Sequence, residues 1–311
     1  MPSRRTFLTL TAAAVLAGST GCSSPGAHSS PASALTTRPP STPTTVHADA
    51  AFAALEQEFD ARLGVVAFDT GAGTTVEYRP DERFAFASTI KAMLAATILQ
   101  TRTMEDLDRV IQYTADDLVA YSPITEQHVD TGMPLRDVAT AAVQYSDNTA
   151  ANLMFAQLGG PAGVQQLLRA SGDATTNVDR LEPDLNEATP GDLRDTSTPR
   201  ALASTLDAYV LGDAVEQPKR ELLAAWLQGN TTGGKLIRAA VPTDWTVGDK
   251  TGAASYGTRN DIAVLWPPAG APIVMTVLSS RAAQEASYDD VLIAKAAAAA
   301  LTALGVLATA P

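Results

Sequence analysis

Leu63-Gly64-Val65-Val66-Ala67-Phe68, then Gly71-Ala72-Gly73, then Thr74-Thr75-Val76-Glu77-Tyr78 is the stretch on which the fold turns. The first run is short and apolar, the glycines mark a turn, and the second run leads back, so the segment reads as a strand pair opening a sheet. Upstream, Asp49 to Phe59 sets Phe52, Leu55 and Phe59 on one helical stripe. Downstream, helical segments broken by Pro and Gly run from Ser88 to about Leu211. Three more strand-like runs follow, Trp245 to Asp249, Asp261 to Trp266 and Pro272 to Ser279, and an Ala-rich helix from about Tyr288 to Leu304 closes the chain. Two strands, a long helical block, three strands and a helix predict an α/β (α+β) fold. In it one five-stranded sheet is flanked by helices (residues 47–84 and 226–311), and an all-helical part (85–225) is inserted between its halves. That layout leaves a crevice between sheet and insertion, where sites commonly sit.

The chain has 311 residues, with 22 Lys plus Arg against 34 Asp plus Glu and a formal charge of −12. So acidic a surface repels phosphate backbones, which disfavours a nucleic-acid partner. Ser3-Arg4-Arg5-Thr6-Phe7-Leu8 puts paired arginines before the apolar run Leu8 to Ala17. Residues 1–21 therefore resemble a twin-arginine export signal, whose apolar run is too short to span a bilayer as a mature helix. Cys22 is the only cysteine, so no internal disulfide can form; its place after the apolar run predicts lipidation at a new N-terminus, with simple secretion as the alternative. Residues 22–46 are mostly Ser, Pro, Thr, Ala and Gly, and predict a disordered tether. His28, His47 and His128 make no metal-ligand pattern, and no glycine-rich phosphate loop precedes a helix, so no cofactor or metal is expected.

Three short motifs carry chemistry. Ser88-Thr89-Ile90-Lys91 opens an apolar helix, and a spacing of three puts a hydroxyl and an amine on one face. Hydroxyls are weak nucleophiles that a neighbouring amine can activate, and a helix N-terminus stabilises developing negative charge. Ser146-Asp147-Asn148 offers a hydroxyl to relay a proton and a side-chain amide to bind a substrate amide. Lys250-Thr251-Gly252, read as lying at the end of a strand, offers cationic and hydroxyl contacts to a carboxylate, and its glycine lets a ligand approach the backbone. Taken singly, each has an ordinary reading as a helix cap or a surface polar group.

Taken together, in this order and spacing, the three motifs resemble the superfamily of serine β-lactamases and penicillin-binding proteins. A fourth segment, Arg180-Leu181-Glu182-Pro183-Asp184-Leu185-Asn186 running on to Arg194-Asp195-Thr196, resembles the omega-shaped loop of class A β-lactamases. The resemblance covers about His47 to Leu304. It implies an antiparallel sheet, Ser88 as nucleophile, and Lys91, Ser146 and Lys250 as proton-handling groups. It also implies that Glu182 and Asn186 hold a hydrolytic water, and that an Arg180–Asp195 ion pair closes the loop's neck. Tyr121 would wall the cleft, and Asn148, Thr251, Gly252, Ala253 and Arg259 would contact substrate. Ala253 and Ser88 would supply the oxyanion N–H groups. Where some relatives carry a helix arginine, Leu236 stands here, leaving carboxylate binding to Arg259. The activity implied is β-lactam hydrolysis by a monomer. A cell-wall peptidase and a silent β-lactam sensor are the alternatives, both opposed by Glu182.

Overall fold

The computed structural model describes residues 44–307. The expected export signal, Cys22 and the tether up to residue 43 lie outside the described residues. Thr44–Val46 (β1), Asp49–Phe59 (α1), Arg62–Asp69 (β2) and Thr74–Tyr78 (β3) begin the fold. The strand pair at 63–78 forms as read. Asp69 Oδ1 accepts from the backbone N–H groups of Gly71 and Ala72 at 2.8 and 2.9 Å, and Gly73 takes φ +69°, which a Cβ would penalise.

Next come Phe84–Ala85 (β4), Ile90–Thr101 (α2), Val110–Ile111 (β5), Met133–Pro134 (β6), Leu135–Gln144 (α3), Asn148–Gln157 (α4) and Gly160–Ala170 (α5). Thr196–Ser197 (β7), Pro199–Val210 (α6), Gln217–Gln228 (α7) and Ile237–Ala240 (α8) follow. Thr246–Ala254 (β8), Thr258–Trp266 (β9), Ile273–Ser280 (β10) and Asp290–Ala303 (α9) end it. The main sheet runs β1-β3-β2-β10-β9-β8. All its pairs are antiparallel except the outermost, where β1 lies parallel to β3 with Thr44 opposite Thr74.

Among the described residues the sheet thus has six strands where five were expected, and the sixth lies in residues assigned to the tether. Its Thr-Thr-Val sequence is β-branched, and it covers the open edge of β3. A second correction concerns β8, which runs through Lys250-Thr251-Gly252 to Ala254 instead of ending before them; its register with β9 continues to Ala254 opposite Thr258. Polar and small residues hid this half of the strand. The middle of the chain is also less purely helical than expected, since β4 pairs with β7 and β5 with β6.

Two apolar cores explain the layering. On one face of the sheet, Val65, Ala67, Ala263, Met275 and Val277 pack with Phe52 of α1 and with Leu292, Ile293 and Ala296 of α9. On the other, Val66, Ile262, Val264, Val274 and Leu278 meet Leu202 and Leu206 of α6 and continue into the helical part. Strands covered on both faces read as continuous apolar runs, which is why β2 and β10 were legible. Ile90 to Leu99 of α2 are all buried, so this helix is the axis of the helical part. Truncating such a leucine to alanine typically costs about 2–5 kcal/mol.

Candidate active site

Ser88 sits in a tight turn, Ala87–Thr89, that feeds directly into α2. The buried axis therefore fixes the position of the hydroxyl, and one turn later it delivers Lys91 with no solvent exposure. Lys91 Nζ donates to the Ser146 carbonyl at 2.8 Å and to Asn148 Oδ1 at 2.6 Å, and lies 2.9 Å from Glu182 Oε1. Ser88 Oγ donates to the same Glu182 oxygen at 3.4 Å. The Ser88 hydroxyl and the Lys91 amine, three residues apart, thus converge on one carboxylate oxygen of Glu182, which is distant in sequence. Burial pushes the Lys91 amine below the ordinary lysine range, and the Glu182 charge opposes that push.

Ser146 lies in the turn between α3 and α4. Its hydroxyl accepts from Lys250 Nζ at 3.1 Å, so the amines of Lys91 and Lys250 flank one residue. Lys250 is wholly buried on β8, and burial, followed by the nearby Lys91 charge, lowers its amine to about 7. Beside it, Thr251 shares a 2.6 Å hydroxyl contact with Thr232. Gly252 runs so close to the Ser88 turn that a Cβ there would lie 3.0 Å from the Phe86 carbonyl and 3.2 Å from Ser88 N. This close approach explains the glycine and brings Ala253, the next residue on β8, beside the Ser88 turn. Tyr121 is 62% exposed at the mouth of the cleft.

Backbone strain gathers around this cleft. Ala87, Tyr121 and Ser146 take φ of 50°, 64° and 59°, a left-handed conformation costing about 1–3 kcal/mol for a non-glycine residue unless the surroundings impose it. At Tyr121 and Ser146 the surroundings are visible. Asp147 caps α4 through Ala150 N at 2.8 Å and also accepts from Ile124 N and Thr125 N, pinning the loop that carries Tyr121. Asn148 gives its amide nitrogen to the Ala120 carbonyl at 2.8 Å while its oxygen holds Lys91, so both ends of this side chain are engaged.

The segment 171–198, between α5 and α6, is the long loop that carries Glu182. Arg180 Nε meets Asp195 Oδ2 at 2.5 Å, and Asp195 Oδ1 accepts from the backbone of Asp179 and Arg180. The neck is therefore tied by a carboxylate only 1% exposed. Asn186 Nδ2 donates to Glu182 Oε2, and its own Oδ1 is buried with no partner among the described residues. Arg259, 9% exposed on β9, is held by Asp290 at 2.7 Å and stacks over the Tyr288 ring at 4.7 Å. Leu236 is fully buried and supplies no cation.

Every sequence-derived site residue lies around this cleft or on the strands that form its wall. The sequence reading missed Asn152, whose side chain donates to the Glu182 carbonyl and accepts from the Glu182 N–H, both at 2.9 Å. It also missed Thr232 and the acids Asp249 and Asp261. Burial pushes both acids upward, with Arg238 and Asn230 partly compensating at Asp249. Only the proximity of Asn152 to the Ser146 motif hinted at its part; the others carry no local signal. Among the described residues no group of three or more His, Cys, Asp or Glu is placed to hold a metal ion.

The Beta-lactamase enzyme family matches residues 47–304. The chain belongs to the class A β-lactamases. It is 58% identical to a β-lactamase of Bacillus licheniformis, over 81% of this chain and 82% of that protein. It is 55% identical to one of Amycolatopsis lactamdurans, over 86% and 88%. A crystal structure of a halotolerant bacterial β-lactamase superposes with TM-score 0.81 at 53% identity, covering 82% of this chain and 98% of that one. A class A β-lactamase from Clostridium kluyveri gives TM-score 0.82 at 45% identity, covering 83% and 98%. In this β-lactamase, then, the convergence on Glu182 Oε1 lies within a fold shared over nearly the whole length of its solved relatives.

Proposed function

We propose that this chain hydrolyses the amide bond of β-lactams through an acyl-enzyme on Ser88. The observation that carries the reading is Glu182 Oε1, within reach of both Ser88 Oγ and Lys91 Nζ. The substrate carboxylate docks on Lys250, Thr251 and Arg259, and its ring carbonyl faces the N–H groups of Ser88 and Ala253. Tyr121 walls the ring system, and the Asn148 amide, which holds Lys91, lies beside the bound acyl group. Gly252 keeps the strand close enough for that approach. Ser88 attacks as its proton passes to Lys91, or to Glu182 through water; Ser146 and Lys250 return a proton to the leaving nitrogen. The developing oxyanion is stabilised by fixed N–H donors, each worth about 10²–10³ in turnover. Glu182 then takes a proton from water that Asn186 orients, and the ester on Ser88 is released. General base action of this kind contributes about 10²–10⁴.

Glu182→Ala tests the scheme. The variant should accumulate a covalent adduct on Ser88, detected by mass spectrometry, while the wild type turns over nitrocefin. Ordinary turnover by the variant would remove Glu182 from its role, and a wild type that neither turns over nor acylates would end the proposal. On the sequence alone we also propose export directed by residues 1–21 and lipid attachment at Cys22, read out by the mass of the mature N-terminus. Analytical ultracentrifugation would check the proposed monomeric state.

A further inference from the structure

Behind the loop that carries Glu182 lies a cavity of about 470 Å³, separate from the cleft. Its wall holds five guanidinium groups, Arg62, Arg79, Arg83, Arg194 and Arg281, against three carboxylates, Glu56, Asp60 and Asp192. In a chain of net charge −12, that is a local excess of positive charge. Two of the five are neutralised: Arg79 by Glu56 and Glu82 at 2.9 and 3.0 Å, and Arg194 by Asp192 at 2.6 Å. The other three are not closely paired. Arg83 donates to Thr196 Oγ1 at 3.0 Å and to the Thr175 carbonyl at 2.9 Å. Arg62 donates to the Arg83 carbonyl and lies over the Phe84 ring, its nearest carboxylate, Glu82, being 3.9 Å away. The Arg281 guanidinium has no partner among the described residues.

We infer that this cavity binds a compact oxyanion carrying two or more negative charges, of the phosphate or carboxylate class. Guanidinium forks match either group with paired, charge-assisted hydrogen bonds. The volume suits a small molecule and not a polymer segment. The walls come from separate elements: Arg62 begins β2, Arg83 precedes β4, Arg281 follows β10, and Ala188 to Asp192 belong to the loop. A bound anion bridges that loop to the sheet, and the same loop carries Glu182 and Asn186.

The test is calorimetric titration of the full chain with pyrophosphate and, separately, with citrate at constant ionic strength; the preferred probe tells phosphate from carboxylate recognition. One saturable site is expected, weakened roughly tenfold or more in Arg281→Ala, the loss of one charge-assisted fork, and unchanged in Lys250→Ala, which removes a cation of the catalytic cleft. Pyrophosphate or citrate should also slow amide hydrogen exchange at 188–194 in the wild type, a readout that needs no variant. Absence of saturable heat with both probes overturns the inference. So does unchanged affinity in Arg281→Ala, loss of binding in Lys250→Ala, or unaltered exchange at saturation.

Discussion

Lys91 Nζ stands 2.9 Å from Glu182 Oε1, and neither side chain has any solvent exposure. Burial holds the amine down and Glu182 pulls it back up, so Glu182→Gln lowers it further. If neutral Lys91 accepts the Ser88 proton, a lower amine pKa leaves it neutral at lower pH. The acid limb of the acylation rate should therefore move to lower pH in the variant, as measured by stopped-flow acylation across a pH series. An unmoved limb would exclude Lys91 as the acceptor.

Lys250 carries the second pH prediction. Its amine titrates at about 7 in the folded chain against an ordinary 10.5. In the proposed scheme it docks a carboxylate as a cation, so kcat/KM, which reports the free enzyme, should fall as pH rises through about 7. Lys250→Arg, charged at all these pH values, should move that limb upward by more than about one unit. Stability follows by linkage. Between 7 and 10.5 the unfolded chain holds this proton more often than the folded one, so this group's contribution improves as pH rises through the window and is worst below 7. Lys250→Met should gain stability over wild type at pH 6 and lose most of that gain by pH 10.5, read from urea midpoints.

Asn152 touches only the main chain of Glu182, yet it answers both of that residue's backbone groups. Asn152→Ala leaves a donor and an acceptor without partners, costing about 1–3 kcal/mol each where they stay buried. Glu182, the proposed general base, is then held less firmly. Deacylation should slow by about tenfold or more while acylation changes less, separated by burst kinetics. Asn152→Asp keeps the acceptor for Glu182 N–H and should recover part of the loss. Equal slowing of both steps would mark a general folding defect instead.

The neck of the loop gives a prediction about motion. Asp195 binds Arg180 and two backbone N–H groups while nearly fully buried. Asp195→Asn removes the charge but keeps the shape. Hydrogen exchange across 180–195 should accelerate by about tenfold or more, that is, by about 1.4 kcal/mol or more of local opening. The strands of the main sheet should exchange as before.

What was legible in the sequence follows from physical periodicity and motif chemistry. β2 and β10 announce themselves because both faces are apolar, and Ser88 and Lys91 because the helix they open is apolar throughout. β1 escaped because three β-branched residues sat at the end of a Ser/Pro/Thr tract. The second half of β8 escaped because a strand that builds a site carries Lys250, Thr251 and Gly252 in place of an apolar run. Asn152, Thr232, Asp249 and Asp261 act through contacts distant in sequence, and apart from the nearness of Asn152 to the Ser146 motif nothing local distinguishes them from other polar residues.

Gly252 offers the most direct test of the cleft's geometry. A methyl group there would meet the Phe86 carbonyl at 3.0 Å, the Ala87 Cβ at 3.1 Å and Ser88 N at 3.2 Å, tighter than ordinary contact. Since Ser88 is anchored by the buried helix α2, β8 must yield, and as the outermost strand it pairs only with β9. Its displacement moves Ala253, whose N–H is the proposed oxyanion donor, relative to the Ser88 turn. Gly252→Ala should therefore lose about 10²–10³ in kcat, the usual effect of one oxyanion donor. Loss of carboxylate docking would appear in KM, so KM should change much less. The far-ultraviolet circular dichroism should match wild type, because the strand shifts without unfolding. A variant with full kcat would show that the N–H of Ala253 takes no part in stabilising the transition state.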